Sequence, residues 1–308
     1  MAMQSIFVVS DDISALTELC VGAKSLADKV TAVVFGDKST AEQAASCGAG
    51  SILFCPVGDD SAPEDYAAAI ADEVKKADSA LVMLNNSIRS RCLAGKLGVL
   101  LDTSVLTSVS AVCKKDDAVI ASRMVYGGTA QRTERFTRPY GVVTVSSGAF
   151  EVNETPAATT DIAQIAGAPQ GGIKRIARNE KKEGGTNLVA AKRIVDVGRG
   201  LAAEEDLEMC RKLAEVLGAD VGCSRPVAEN NKWLPKSSYM GITGVQVKPD
   251  VIISLGVSGQ VQHIGGINKS KFIIAINKDK AAPIFKSCDF GLVGDMYKIV
   301  PALIEKLS

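Results

Sequence analysis

Short apolar runs alternate with helix-length amphipathic stretches along most of this chain, and the alternation breaks once and then restarts. IFVVS (6–10), VTAVVFG (30–36), SILFC (51–55) and ALVML (80–84) read as strands, and 13–28, 39–47, 63–77 and 88–98 as helices. Strands separated by helices imply βαβ units and a parallel sheet. Near residue 103 the pattern changes. VLTSVSAV (105–112), AVIASRMVYGG (118–128), TAQRTERFT (129–137) and YGVVTVSS (140–147) are consecutive strand-like runs, with Gly127-Gly128 suited to a hairpin turn. They predict an antiparallel ribbon added to the parallel sheet.

Residues 150–187 read as a connector, because ETPAATT, GAPQGG and KKEGGT are small, Pro- or Gly-containing stretches. The charge run from Lys174 to Lys182 reads as a solvated edge strand or linker. The alternation then resumes. RIVDVG (193–198), DVGCS (220–224), VIISLG (251–256), FIIAIN (272–277) and FGLVGD (290–295) read as strands, and 203–217, 258–266 and 296–307 as helices. The chain is thus expected to be α/β throughout. An N-terminal parallel-sheet domain with the antiparallel addition and connector occupies 1–187, and a smaller doubly wound domain occupies 188–308.

Charge narrows the function classes. Lys plus Arg is 35 and Asp plus Glu is 35, so nothing steers the chain toward nucleic acid or an anionic membrane. The N-terminus MAMQSIFVVSDD lacks a basic region followed by a long apolar core, and no apolar run approaches the roughly 18 residues of a membrane span. A cytoplasmic protein without stable membrane association is expected. The eight cysteines form no C-x-x-C pair and there is one histidine, which argues against zinc, iron–sulfur clusters and a disulfide framework. Most of the cysteines are expected to be small buried hydrophobes.

Candidate chemistry gathers at predicted strand ends. In VDVGRGLAAEED, Gly198, Gly200 and Ala203 match G-x-G-x-x-A where a strand ends and a helix opens. Such glycines permit a tight turn and close approach to a phosphate, and Arg199 between them adds charge. A plain glycine-rich turn is the competing reading. In GCSRPVAE, Arg225 follows a strand, the place where open α/β sheets bind ligands. In LGVSGQVQHIGG, Ser258-Gly259 is expected to open a helix that Ser258 caps, with Gln262 and His263 within one turn. His263 reads equally well as a satisfied core histidine. Asn277 and Asp295 end two further strands beside these. No constellation of nucleophile and general base stands out.

Taken together, GRGL, SRPVAE, SGQVQH, AINKD, APIF and FGLVGD resemble the C-terminal signature of the alpha subunits of electron transfer flavoproteins, over about residues 190–307. MVYGG in the N-terminal part is similar to the same family. The resemblance implies FAD extended across the C-terminal domain, a beta subunit closing over it, and a flavin dehydrogenase or reductase as redox partner. It implies that Arg199, Ser224, Arg225 and the Gly241-Ile242-Thr243-Gly244 loop belong to the flavin site, with Thr243 as hydroxyl donor to flavin N5. It further places Ser258, Gly259, Gln260, Val261, Gln262 and His263 along the phosphates and the pyrimidine side of the ring, His263 near the C2 carbonyl. Asn277, Asp295 and Met296 fall to the nucleotide half.

The family commonly has Gln-Thr-Gly where this chain has Ile242-Thr243-Gly244. WLPKSSYMGITG is similar to the branch of alpha subunits serving anaerobic acyl-CoA or carnitine-derived CoA metabolism. Two readings compete with an electron carrier lacking a catalytic side chain of its own. One is an NAD-linked Rossmann dehydrogenase, which needs a ribose-binding acid about 20 residues past the glycines. Asp220 has that spacing but precedes its predicted strand. The other is a nucleotide-binding interaction subunit without a redox role.

Overall fold

The computed structural model describes residues 3–58, 60–116, 118–153, 156–171, 177 and 187–307. The chain divides into two compact units, Met1–Tyr126 with Ala130–Asn179, and Glu180–Ser308 with Gly127–Thr129.

The first unit runs β1 (Ser5–Ser10), α1 (Leu16–Lys24), β2 (Lys29–Phe35), α2 (Lys38–Gln43), β3 (Ser51–Cys55), α3 (Ala67–Val74), β4 (Ala80–Asn85), α4 (Ile88–Leu100), β5 (Val105–Val109), β6 (Ala111–Lys115), β7 (Ala118–Val125), β8 (Ala130–Arg135), β9 (Tyr140–Val145) and β10 (Ile162–Gln164). Seven strands form one sheet in the order β10-β3-β2-β1-β4-β9-β5, every neighbouring pair parallel. Strand residues alternate between its two faces. Ile6 and Val8 of β1 join Leu16, Leu19 and Ala23 of α1 in one core, while Phe7 and Val9 join Ile70 of α3 and Leu93 and Leu97 of α4 in the other. The Asp37 carboxylate accepts the Thr40 N–H, and the Ser87 hydroxyl oxygen accepts that of Ser90, which caps α2 and α4.

The run of strands after residue 103 differs from expectation. It is not one ribbon. Residues of β5 and β9 lie in the main sheet, both parallel, and only β6, β7 and β8 form a separate three-stranded antiparallel sheet. Burial explains the split. Five of the six residues of β9 are buried, as in a strand covered on both faces, whereas β8 is exposed at all but one position. The connector also holds a short edge strand, β10, paired with β3. The run from Lys174 to Lys182 lies, apart from Ala177, outside the described residues. Cys20, Cys47, Cys55, Cys210 and Cys223 are buried, Cys288 is intermediate, and Cys92 and Cys113 are exposed.

The second unit runs β11 (Arg193–Val197), α5 (Leu207–Leu217), β12 (Asp220–Cys223), β13 (Val251–Leu255), α6 (Val261–Ile267), β14 (Phe272–Asn277), β15 (Phe290–Val293) and α7 (Met296–Leu307). Its five strands are parallel in the order β12-β11-β13-β14-β15. Leu207, Cys210, Leu213 and Ala214 make one apolar stripe on α5, and they share a core with Val195, Leu255 and Val300. Leu188, Ile194, Met240, Ile252 and Ile267 fill the opposite face.

Candidate functional site

Strand order in the second unit reverses between β11 and β13, since the chain passes from β11 outward to β12 and then returns to the other side. Loops leaving two such strands diverge, and open α/β sheets bind ligands in the crevice this creates. Here the crevice is a cleft of about 650 Å³, within the ordinary range for small-molecule sites. Arg199 and Gly200 line it after β11, Ser224 and Arg225 after β12, Gly256 to Gln260 after β13, and Asn277 and Asp279 after β14. Gly241, Ile242, Thr243, Gln262 and His263 complete the wall.

Twelve of the sixteen candidate residues are therefore brought together: Arg199, Ser224, Arg225, Gly241, Ile242, Thr243, Ser258, Gly259, Gln260, Gln262, His263 and Asn277. The other four do not line the cleft. Gly244 packs against the Tyr239 ring, and Val261 is exposed on α6. Met296 is buried beneath the two glycine loops, with its methyl beside Gly200 and Gly256. Asp295 caps α7: its carboxylate accepts the Tyr297 N–H at 3.0 Å. That cap occupies Oδ1, and Asp295 remains exposed beyond the cleft. Asp295→Ala should cost about 0.5–2 kcal/mol of stability, as other caps do, and a loss of ligand affinity at temperatures where the fold holds would show that the carboxylate also reaches the ligand. Urea denaturation beside equilibrium dialysis separates the two effects.

Two local expectations change. α6 begins at Val261, with Gln260 in the capping position and no side-chain bond there, so Ser258 caps nothing. Ser258 instead sits exposed in the loop after β13, and its carbonyl accepts the Ile284 N–H. The paired glycines serve each other. A Cβ on Gly198 would lie 2.3 Å from the Gly256 carbonyl oxygen, and one on Gly200 would lie 2.7 Å from Gly256 Cα. Their lack of side chains lets the β11 and β13 loops meet, so the G-x-G match reports loop contact.

The NAD-linked reading loses its acid at the same place. Asp220 is the first residue of β12, and the end of that strand carries Cys223, Ser224 and Arg225. A ribose-binding acid belongs at the strand end.

Charge in the cleft comes mostly from arginines. Arg199 is exposed. Arg225 is 61% exposed and pairs with Glu229, one turn on, at 2.5 Å. The Glu229 carboxylate beside it, by hydrogen bond and by charge, raises the Arg225 pKa above the ordinary arginine value. The Ser224 hydroxyl is buried with no hydrogen-bond partner. Asn277 spans two loops, its amide donating to the Val257 carbonyl and its oxygen accepting the Asp279 N–H. The Ile242 N–H donates to the Gln262 carbonyl, which fastens the Gly241–Gly244 loop to α6.

His263 is placed differently from a ligand donor. Its Nε2 lies 2.8 Å from Asp196 Oδ2 and its Nδ1 lies 3.0 Å from the Met240 carbonyl oxygen. Both nitrogens are engaged inside the protein, so in this geometry neither is left to donate to a carbonyl in the cleft. Burial opposes charge on the ring, but the Asp196 carboxylate and the two hydrogen bonds outweigh it, and the histidine pKa is raised. A raised value means that the pair's contribution to stability is complete below the ordinary histidine range and is lost as pH rises through the folded-state value. Asp196 carried no signal in the motif reading. Its own signal was a charged residue in the middle of the apolar run RIVDV, where it is fully buried.

Comparison with known proteins agrees with this architecture. The chain is 41% identical over 308 residues to Protein FixB of Escherichia coli O127:H6 (strain E2348/69 / EPEC), covering 98% of each chain. It is 40% identical to Protein FixB of Shigella flexneri, again over 98% of each. Residues 14–177 match the electron transfer flavoprotein domain, and residues 187–268 match the electron transfer flavoprotein FAD-binding domain. No helix among the described residues is long and apolar enough to cross a membrane. The chain belongs to the electron transfer flavoprotein family, and residues 187–268 match that family's FAD-binding domain.

Proposed function

We propose that this chain is the alpha subunit of an electron transfer flavoprotein, which holds FAD in the switch-point cleft, pairs with a beta subunit and exchanges electrons with a flavin dehydrogenase or reductase of acyl-CoA metabolism. The observation that carries the reading is the Ser224 hydroxyl, a buried oxygen without a partner in the wall of a cleft that two arginines also line. Buried polar groups in native proteins are almost always paired, so an orphan hydroxyl on a cleft-lining residue leaves a partner for a ligand atom to supply. Volume, position on the sheet and positive charge all fit a dinucleotide.

Bound FAD supplies the electron exchange, and the protein supplies position and electrostatics. Arg199 and the backbone of the Ser258–Gln260 loop suit the pyrophosphate. Arg225 suits charge that grows on the ring. Thr243 is exposed in the cleft lining, and Tyr239 holds this loop with its hydroxyl, which donates to the Thr243 carbonyl at 2.6 Å and lies 3.2 Å from the Thr243 hydroxyl oxygen. His263, the chain's one histidine, has both nitrogens occupied and is no general base for a dehydrogenase. That favours a carrier over a hydride-transfer enzyme.

The test is purification with the product of the neighbouring gene, then absorption spectroscopy and acid extraction. A yellow one-to-one heterodimer that releases FAD is expected. A colourless protein, or a stable FAD-saturated redox-active monomer, contradicts the reading. Ser224→Ala adds a sign test. Removing a hydroxyl that has no partner should leave the ligand-free protein unchanged or slightly more stable, yet weaken FAD retention by about 0.5–1.5 kcal/mol. Unchanged retention would place the FAD elsewhere.

A further inference from the structure

Asp196 sits at the fourth position of β11 and is fully buried. Its Oδ2 accepts the Ser254 hydroxyl at 2.8 Å and faces His263 Nε2 at the same distance. Its Oδ1 is buried without a partner. Two acceptors therefore flank the imidazole, a carboxylate at Nε2 and the Met240 carbonyl at Nδ1. A carbonyl can only accept, so Nδ1 carries hydrogen. At Nε2, Oδ2 already accepts from Ser254, which makes it a poor place for the proton. The geometry asks for hydrogen on both nitrogens, which is an imidazolium. On the strand beside it, the Cys223 thiol is pushed up to about 12 by burial, helped by the Asp196 charge, so it stays neutral. Arg199, Arg225 and Asp279 line the same cleft as His263.

We propose that Asp196 is a positioning residue of the cleft: it fixes the His263 ring in place and keeps it cationic at the wall, so that the bound group meets a fixed positive charge. The inference rests on the FAD reading only for the identity of that group. His263 lines the cleft and the fully buried Asp196 does not, so the positive member of the pair is the nearer one. A negative charge that grows on the ligand is stabilised by it, and the neutral imidazole of an unpaired histidine would offer less.

The chain's single histidine makes the test direct. Protein labelled with ¹⁵N-histidine gives one imidazole, whose two nitrogens report their protonation by nuclear magnetic resonance without FAD chemistry. Wild type should hold both protons at pH 7.5, where a free imidazole of pKa about 6.5 is mostly neutral. Asp196→Asn should lose one there, and Asp196→Glu should regain it at least in part. A neutral wild-type ring at pH 7.5 overturns the proposal without need of any variant, as does an Asn variant that keeps both protons.

A spectroscopic redox titration of the FAD-loaded protein is the second arm. Asp196→Asn should lower the potential of the bound flavin by about 59 mV, a tenfold change in a one-electron equilibrium. His263→Gln should do the same, and the double variant should add nothing further, because one residue acts through the other. Additive shifts would show that Asp196 acts independently and overturn its role. If the resonance result holds while none of the variants moves the potential, the charge at the wall stands and the placement of the flavin ring fails.

Discussion

Gly198→Ala should be among the costliest single methyl additions near the cleft. The new Cβ would lie 2.3 Å from the Gly256 carbonyl oxygen and 2.5 Å from both the Gly256 carbonyl carbon and Val257 Cα. All three atoms are backbone, so no side chain can swing aside. The β11 and β13 loops would have to part, and Gly256, at φ +61°, is itself held in a conformation that few other residues adopt. Overpacking costs typically 1–3 kcal/mol and occasionally more, and a clash confined to backbone belongs at the upper end. Because the parted loops also form the cleft, FAD should be lost with the stability. Gly95 on α4 is the control, since a Cβ there meets nothing within 4 Å. Gly95→Ala should be neutral or stabilising by up to about 1 kcal/mol through helix propensity. Chemical denaturation and FAD content are the measurements. A Gly198→Ala protein that keeps full FAD and matches wild type within about 0.5 kcal/mol would show that the two loops do not depend on each other.

The same pair of glycines shows where sequence reading runs out. GRGL at a strand end announces a turn with close approach, and that much is correct. What approaches is not written in the motif. A phosphate and the backbone of the β13 loop ask for the same missing side chain, and only the fold tells that Gly256 is there. The strands were legible for a simpler reason. Apolar runs such as IFVVS and VIISL are buried on both faces of parallel sheets, and they stand out against helices with a single apolar stripe. YGVVTV carries the same run, but its place between β4 and β5 depends on pairing across 60 residues, which local pattern does not hold. Asp196 was legible in principle. An acid within RIVDV must find a partner when the strand is buried, and the one histidine in the chain is a natural candidate. Asp295 is the opposite case. A strand-end acid before a helix serves a cap as readily as a ligand, and here the Tyr297 N–H takes it.

Arg225→Ala should lower the potential of the bound flavin, and the structure adds a second variant that should raise it. A guanidinium near the ring favours the reduced form, which carries negative charge that the oxidised ring lacks. Arg225 lines the cleft, yet its Nε is bonded to Glu229 at 2.5 Å, and the side chain is more than half exposed. Such a pair presents little net charge to a third group, and water screens what remains. For Arg225 to act on the ring it must exchange Glu229 for the ligand at least in part. Arg225→Ala then removes the cation and leaves the Glu229 carboxylate, with Lys236 at 4.0 Å as its remaining neighbour. A fall on the order of 60 mV, a tenfold change in a one-electron equilibrium, is the expected size. Glu229→Gln frees the guanidinium, so the potential should rise. Arg225→Lys should lie between wild type and alanine, because the charge survives while the planar fork is lost. Opposite shifts for Arg225→Ala and Glu229→Gln in one redox titration would place the pair at the ring. If both variants match wild type while FAD content is full, the pair is a surface ion pair and the charge that tunes the flavin comes from His263 and Arg199.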